Sequence, residues 1–328
     1  VLVLGGTGFI GPHQVRYALS RGHTVTLFNR GRTNTHLFPE VEKLVGDRNG
    51  DLDALRGREW DVVLDNSGFS RAVVRDSAQL LSGSVGQYLF VSVLWVYADR
   101  SILGQDETGA VGMPGVSEDQ WEGLGPLRAP SEREVQQAFP GRHTIVRPPV
   151  IVGPGDPSHR FSYRVTRVDR GGEVLAPGTP DDPTQFIDVR GVTQWMVRCL
   201  EEGVTGVYNA TAPNPPLTMA QMLYGMRAVT DSAVRFTWLD ARFLAEYGVR
   251  GFTELPLWFP ATGPTAGFFR MNGDRAQASG LTIRPLAETA SDVLLWWKAQ
   301  PAERRARLGA AISAERETEL LAAWHARA

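Results

Sequence analysis

The sequence predicts an α/β protein: a doubly wound parallel sheet with a smaller, discontinuous C-terminal substrate lobe. Three observations carry this reading. Short β-rich runs alternate with helix-length stretches through the first half, a glycine-rich turn follows the first apolar run, and beyond Arg147 the alternation gives way to a segment dense in proline and glycine. Alternating strands and helices imply parallel strands joined by crossovers, with helices on both faces of the sheet.

The first strand is read at Val1 to Leu4, followed by Gly5-Gly6-Thr7-Gly8-Phe9-Ile10-Gly11 and a helix from Pro12 to Arg21. The chain opens inside that strand, so one or two residues and an initiator Met are expected to precede it. A second strand covers Thr24 to Phe28 and runs into Asn29-Arg30-Gly31-Arg32. Gly46-Asp47-Arg48 closes a third strand, and Asp65-Asn66-Ser67-Gly68 closes a fourth that begins at Trp60. Further strands are read at Tyr88 to Val93 and His143 to Arg147. The crowding of Pro148, Pro149, Gly153, Pro154, Gly155 and Pro157 marks the edge of a nucleotide-binding domain over 1–150. The runs Gln185 to Arg190 and Gly206 to Asn209 are expected to return to its sheet, within 185–212. The segments 151–184 and 213–328 then form the lobe, ending in an Arg/Glu-rich surface helix from Pro301 onward.

In the turn after the first strand, the first glycine permits a sharp bend. The second lets backbone N–H groups approach a diphosphate, and the third lets helix and strand pack closely. Strand, motif and helix occur in the order that a Rossmann dinucleotide site requires. The cofactor contacts expected here are Gly5, Thr7, Gly8, Phe9, Ile10 and Gly11. The second strand ends without the acid that pairs with both ribose hydroxyls of NAD. Asn29 between Arg30 and Arg32 instead suits a 2′-phosphate, so NADP(H) is favoured over NAD(H). Asp47, Arg48, Asn66, Ser67 and Gly68 stand at the carboxyl edge of the sheet and are added to the cofactor set, although each also suits ordinary turn chemistry.

Gly5 to Gly11, Phe90-Val-Ser-Val-Leu-Trp-Val-Tyr97, Leu124-Gly-Pro-Leu-Arg128, Arg147-Pro148, Gly153-Pro-Gly-Asp156 and Phe186-Ile-Asp-Val-Arg190 together resemble the extended short-chain dehydrogenase/reductase superfamily, the NAD-dependent epimerase/dehydratase group. Phe28-Asn29-Arg30-Gly31 is similar to the branch that includes chloroplast stem-loop-binding proteins. The resemblance implies a Ser–Tyr–Lys triad, in which a lysine one helical turn after the tyrosine lowers the phenol pKa. Here Val93 stands at the serine position, Leu124 at the tyrosine and Arg128 at the lysine. The chain has two lysines, Lys43 and Lys298, preceded four residues earlier by Pro39 and Leu294, so no register restores a Tyr-x-x-x-Lys. Ser92 is one residue off and on a strand would point to the opposite face. Leucine exchanges no proton, and an arginine holds its proton while still able to bind ribose hydroxyls or an anion. Arg128 and Pro148 therefore join the cofactor set. Trp95, Pro149 and Gly191 also depart from the family pattern and suggest a remodelled pocket.

The remaining candidates are weaker. His159 follows the Gly153 to Asp156 turn and is read as a candidate acid/base, with a surface loop histidine as the plain alternative. Tyr163, Arg164, Arg190, Trp95 and Trp258 are expected to line the substrate cleft; Asp188 reads as an ion-pair partner or cap. The six histidines form no metal-binding pair and the lone Cys199 reads as a buried helix residue, so neither metal nor disulfide is expected. A net charge of -2 with interspersed signs argues against nucleic acid. No apolar run spans a bilayer and no leader precedes the first strand, which reads as cytoplasmic. A small-molecule substrate is expected, and a homodimer is open. Three functions follow. The first is an atypical NAD(P)(H)-binding enzyme performing cyclisation, isomerisation or elimination. The second is a conventional NADP-dependent reductase, epimerase or dehydratase with another acid/base. The third is a non-catalytic cofactor sensor or RNA-binding protein.

Overall fold

The computed structural model describes residues 1–68, 70–113, 115–116, 124–212, 215–306 and 311–327, with the backbone alone at Leu124 and Pro126. Its first half runs β1 (Leu2–Leu4), α1 (Gly11–Ser20), β2 (Thr26–Asn29), β3 (Glu42–Val45), β4 (Trp60–Asp65), α2 (Arg71–Leu81), β5 (Val85–Val91), α3 (Leu124–Ala138) and β6 (His143–Arg147). The second half continues with β7 (Val150–Val152), α4 (Arg160–Asp169), β8 (Gly172–Pro177), β9 (Pro183–Thr184), β10 (Phe186–Asp188), α5 (Val189–Glu201) and β11 (Gly206–Asn209). It closes with β12 (Leu217–Thr218), α6 (Met219–Arg227), β13 (Val234–Leu239), α7 (Ala241–Glu246), α8 (Asp274–Ala278), α9 (Leu286–Lys298), α10 (Ala302–Arg305) and α11 (Ala314–His325).

Seven strands form one parallel sheet in the order β11-β6-β5-β4-β1-β2-β3. The order reverses between β1 and β4, which opens a crevice at the carboxyl ends of those two strands. β1 is apolar and buried throughout, as a central parallel strand covered on both faces must be. One face is covered by α1 and α5, where Val15 and Ala18 meet Trp195 and Met196. The other is covered by α2 and α3, where Val74 and Ala78 join a core with Val135 and Phe139. A separate apolar core joins α4, α6, α9 and α11 to the parallel pair β8 and β13.

Three expectations are corrected. Of the two runs expected to return to the sheet, only Gly206–Asn209 does so, beside β6. Phe186–Asp188 pairs with β7 in a two-stranded ribbon. The chain then turns helical at Val189, because the Asp188 carboxylate accepts the Arg190 N–H at 2.8 Å and caps α5. The strand expected to reach Val93 ends at Val91, and Leu94–Val96 form a 3-10 turn that aims Trp95. The C-terminal stretch is two helices rather than one surface helix. α11 buries Leu320 and Leu321 and sends Glu317 inward to Arg167 Nε at 2.6 Å and the Leu175 N–H at 3.0 Å. Among the described residues no helix is long and apolar enough to cross a membrane.

Candidate functional site

The crevice between β1 and β4 is a cleft of about 490 Å³. Its floor is the turn from Gly5 to Gly11. Gly5 takes φ +87°, a left-handed conformation that costs a side-chain-bearing residue strain. A Cβ on Gly11 would stand 2.5 Å from the Gly6 carbonyl carbon, so only glycine lets α1 start directly over the turn. Over Gly8, by contrast, nothing lies within 4 Å, and its α-carbon faces open space. α1 begins with no side-chain cap and no acidic residue in its first turn. Its N–H groups and the positive end of its dipole are thereby left to an anion in the cleft.

Thirteen of the expected cofactor residues line this cleft: Gly5, Thr7, Gly8, Phe9, Ile10, Gly11, Asn29, Arg30, Arg32, Asp47, Arg48, Asn66 and Ser67. Asn29 Oδ1 accepts the Gly31 N–H at 2.8 Å, a local turn that leaves Arg30 and Arg32 exposed at the rim. Neither arginine meets a carboxylate among the described residues. Asn66 is held by a reciprocal amide pair with Gln14 of α1, at 3.1 and 2.6 Å. Sequence reasoning missed Phe28, Thr33, Asn49, Ser70 and Val73 of the lining, whose types carry no motif and whose place depends on the turns around them, and Gln14, which holds Asn66 from α1.

Arg48 needs a different role from the one its position suggested. Its guanidinium is buried in a forked ion pair with Asp65 at 2.5 and 2.9 Å, and reaches Ser77 Oγ at 2.5 Å and Ser67 Oγ at 3.2 Å. Tyr88 donates its hydroxyl to the same carboxylate at 2.7 Å. Burial works against the Arg48 charge, but Asp65 outweighs it, and the Arg48 pKa is raised. Gly68 and Pro148 also serve structure. A Cβ on Gly68 would strike Val74 and Phe90, and the Pro148 carbonyl accepts the Leu94 N–H at 2.9 Å.

At the end of β5 the three triad-equivalent positions are not alike. Val93 packs against a small core with Val96 and Tyr97. The Leu124 side chain lies outside the described residues. Arg128 is buried, donates to the Val91 carbonyl at 2.7 Å and lies 5.5 Å from the centre of the Phe90 ring. Burial holds its pKa down to about 10, which still leaves it charged at neutral pH. Ser92 is turned away into a buried network. Its hydroxyl bonds Glu132 at 2.5 Å, Glu132 pairs with Arg147 at 2.7 Å, and Arg147 donates to Tyr97, which donates to Asn209 at 2.6 Å. Burial opposes the Arg147 charge, yet Glu132 raises its pKa. Burial lifts Tyr97 to about 12 against the pull of Arg147, so this phenol stays protonated.

The expected substrate residues scatter. Trp95 is partly exposed, with Phe268, Phe252 and Phe259 ring centres 4.3, 5.1 and 5.7 Å away, and its carbonyl lies so close to Gly125 that a Cβ there would collide. Tyr163 and Trp258 belong to the core of the second half, Trp258 donating to Asp182 at 2.7 Å. Arg164 is buried too, donating to the Pro256 carbonyl at 2.9 Å. Arg190 is spent on Asp188 and Asp292. None of these four lines the cleft: three are buried in the second half and Arg190 is ion-paired, with Arg164 Nη2 buried and without a hydrogen-bond partner among the described residues. His159 sits at the N-cap of α4 with φ +55°, and its ring packs edge-on to Trp297 at 5.2 Å. Burial lowers its pKa despite Asp156 nearby. Cys199 is buried and burial pushes its thiol up to about 12, and no metal-holding cluster occurs among the described residues.

Comparisons with known proteins agree with this geometry. Residues 1–74 match the model of the NAD dependent epimerase/dehydratase family. Over 128 residues the chain is 31% identical to chloroplast stem-loop binding protein of 41 kDa b from Arabidopsis thaliana; the match covers 34% of this chain and 33% of that protein. Among solved structures, the UDP-Glc/GlcNAc 4-epimerase of Campylobacter jejuni is 13% identical, with 91% of this chain and 99% of that one covered at a TM-score of 0.66. The Bordetella bronchiseptica enzyme WbmH, solved with NAD+, is 14% identical, covering 91% and 97% at 0.64. A human epimerase family protein solved with NADPH is 19% identical, covering 90% and 98% at 0.59. The family match thus covers the first 74 residues, which hold the glycine turn, and over most of its length the chain carries the same fold as these solved structures.

Proposed function

We propose that the protein binds NADP(H) in preference to NAD(H) and acts on a small molecule as an atypical enzyme of its class. The observation that carries the reading is the cleft itself. An uncapped helix start, an open Gly8 and two rim arginines that meet no carboxylate among the described residues surround it, with no acid at the end of β2. The first-turn amides of α1 would hold the diphosphate, Arg30 and Arg32 a 2′-phosphate, and Asp47 the adenine amino group. A bound nicotinamide dinucleotide supplies a site for hydride exchange. At the other end, Val93 and Leu124 have no exchangeable proton, and Arg128 keeps its own at neutral pH. The chemistry that suits such a pocket needs no phenolate: cyclisation, isomerisation or elimination. The test is a titration of the purified protein with NADPH and NADH, followed by a carbonyl panel. NADPH should bind more tightly, and turnover should fall about 100- to 10,000-fold below a triad-bearing enzyme. Failure to bind either nucleotide would remove the reading, and brisk turnover would favour a conventional reductase, epimerase or dehydratase with another acid/base.

The likeness to a stem-loop binding protein favours a second reading, a nucleic-acid binder. It requires stem-loop binding that weakens steeply with salt.

A further inference from the structure

We infer that Arg48 is a positioning residue for the cofactor cleft, acting through Ser67 rather than by touching the ligand. The inference rests on the cleft being a dinucleotide site. Arg48 leaves β3 at the adenine edge, next to Asp47, and its guanidinium crosses beneath the cleft to the turn that closes β4. One face of the fork takes both oxygens of Asp65. The two terminal nitrogens also reach Ser67 Oγ at 3.2 Å and Ser77 Oγ of α2 at 2.5 Å. The Asp65 carboxylate in turn accepts the Ser67 N–H at 3.0 Å, so the ion pair grips this turn by backbone and side chain together. Ser67 is the residue that faces Gly5. A Cβ added to Gly5 would stand 3.0 Å from the Ser67 Cβ, which puts the two lips of the cradle in near contact. Arg48 therefore sets how far the β4 lip stands from the glycine turn, where the diphosphate and the nicotinamide-side ribose would pass.

A buried arginine that makes four hydrogen bonds to three side chains is hard to replace, since lysine offers a point charge without the fork. It can pair with Asp65 but cannot hold both serines in the same geometry. The experiment compares Arg48→Lys with the unmodified protein for two ligands: NADPH, which spans the whole cleft, and adenosine 2′,5′-bisphosphate, which ends at its 5′-phosphate. NADPH affinity should fall about tenfold, the scale of one charge-assisted hydrogen bond, while the fragment changes less than about threefold. The double variant Arg48→Lys/Ser67→Ala should bind NADPH no more weakly than Arg48→Lys alone, because both changes cut the same link. Equal losses for both ligands, or additive losses in the double variant, would overturn the inference. Ser77→Ala is the second route, should Arg48→Lys not fold. It frees one side of Arg48 from outside the cleft and should weaken NADPH about threefold, with the melting temperature lowered by a few degrees because a buried guanidinium N–H loses its acceptor. Unchanged affinity there overturns the inference as well. If the unmodified protein binds neither NADPH nor the fragment, it is the dinucleotide reading that fails.

Discussion

Two buried ion pairs stand under the sheet's carboxyl edge and do opposite things with the polar groups around them. Beneath the cleft, Arg48 and Asp65 grip the turn that closes β4 at Ser67, which lines the cleft together with the glycine turn and the rim arginines. At the end of β5, Glu132 and Arg147 draw Ser92, Tyr97 and Asn209 inward, and every one of those side chains is buried. One end is built to present hydrogen-bonding groups. The other has consumed its own. On the proposed reading, a cradle kept beside Val93, Leu124 and Arg128 divides binding from proton transfer.

The sharpest way to break the cofactor end is Gly11→Val. The added branch has no flexible neighbour to push aside, since backbone of Gly5 and Gly6 occupies the space. Overpacking against backbone should cost about 3 kcal/mol or more, and the variant should lose NADPH binding altogether. Urea unfolding and a nucleotide titration read the two effects, and a stable variant that still bound NADPH would show that α1 does not need this close start.

The equivalent blow at the other end is Arg147→Met. It strands Glu132 without its partner in a site where both side chains are about 5% exposed or less, and should cost about 3–5 kcal/mol. A loss below about 1 kcal/mol by urea unfolding would mean that the network is dispensable there. Cofactor affinity should change little, because none of these groups lines the cleft.

What could be read in advance follows the same division. The glycine turn, the strand ends and the acid-free Asn29-Arg30-Gly31-Arg32 were legible because their chemistry is local, with a fixed spacing that demands a particular backbone. Arg48 was legible as a member of the site but not in its role, since its partners Asp65 and Ser77 lie on other elements. Tyr163, Arg164, Arg190 and Trp258 were misjudged for that reason. A polar or aromatic residue near a substrate segment looks the same in sequence whether it faces a cleft or a carboxylate in the core. Strand Phe186–Asp188 was seen, yet its partner β7 and the helix that Asp188 starts were not, because pairing is decided by the whole sheet.

A milder test sharpens the reading of the rim. Arg30→Ala with Arg32→Ala removes two exposed cations that the fold does not use, so the melting temperature should stay within about 2 °C. NADPH affinity should fall about 10- to 100-fold with NADH affinity almost unchanged, which is about 1.4–2.8 kcal/mol for the 2′-phosphate. A parallel loss for both nucleotides would show that the arginines serve the diphosphate instead.

The smallest effect is expected where the second half returns to the first, at Asp188. Burial pushes its carboxyl up, but hydrogen bonds from Arg190 and Thr289 and the Arg190 charge outweigh that, and its pKa is lowered. Arg284 faces the same carboxylate at 4.0 Å, while His13 of α1 lies within reach of both Asp188 and Arg190. A carboxyl lowered on folding adds stability above its unfolded pKa, about 3.9, and loses it as pH falls through the folded value. Asp188→Asn should therefore cost about 1–2 kcal/mol at pH 7, and the gap to the unmodified protein should close below about pH 4. His13 titrates across a neighbouring window, because burial first and Arg16 second bring it down to about 4. Below about pH 6.5 the unfolded chain therefore takes up a proton at His13 that the folded one refuses. That destabilisation is common to both proteins and largely cancels in the difference. Urea midpoints at pH 7, 5 and 3 would measure it, and a gap that stayed constant through pH 3 would mean that Asp188 acts as a helix cap alone.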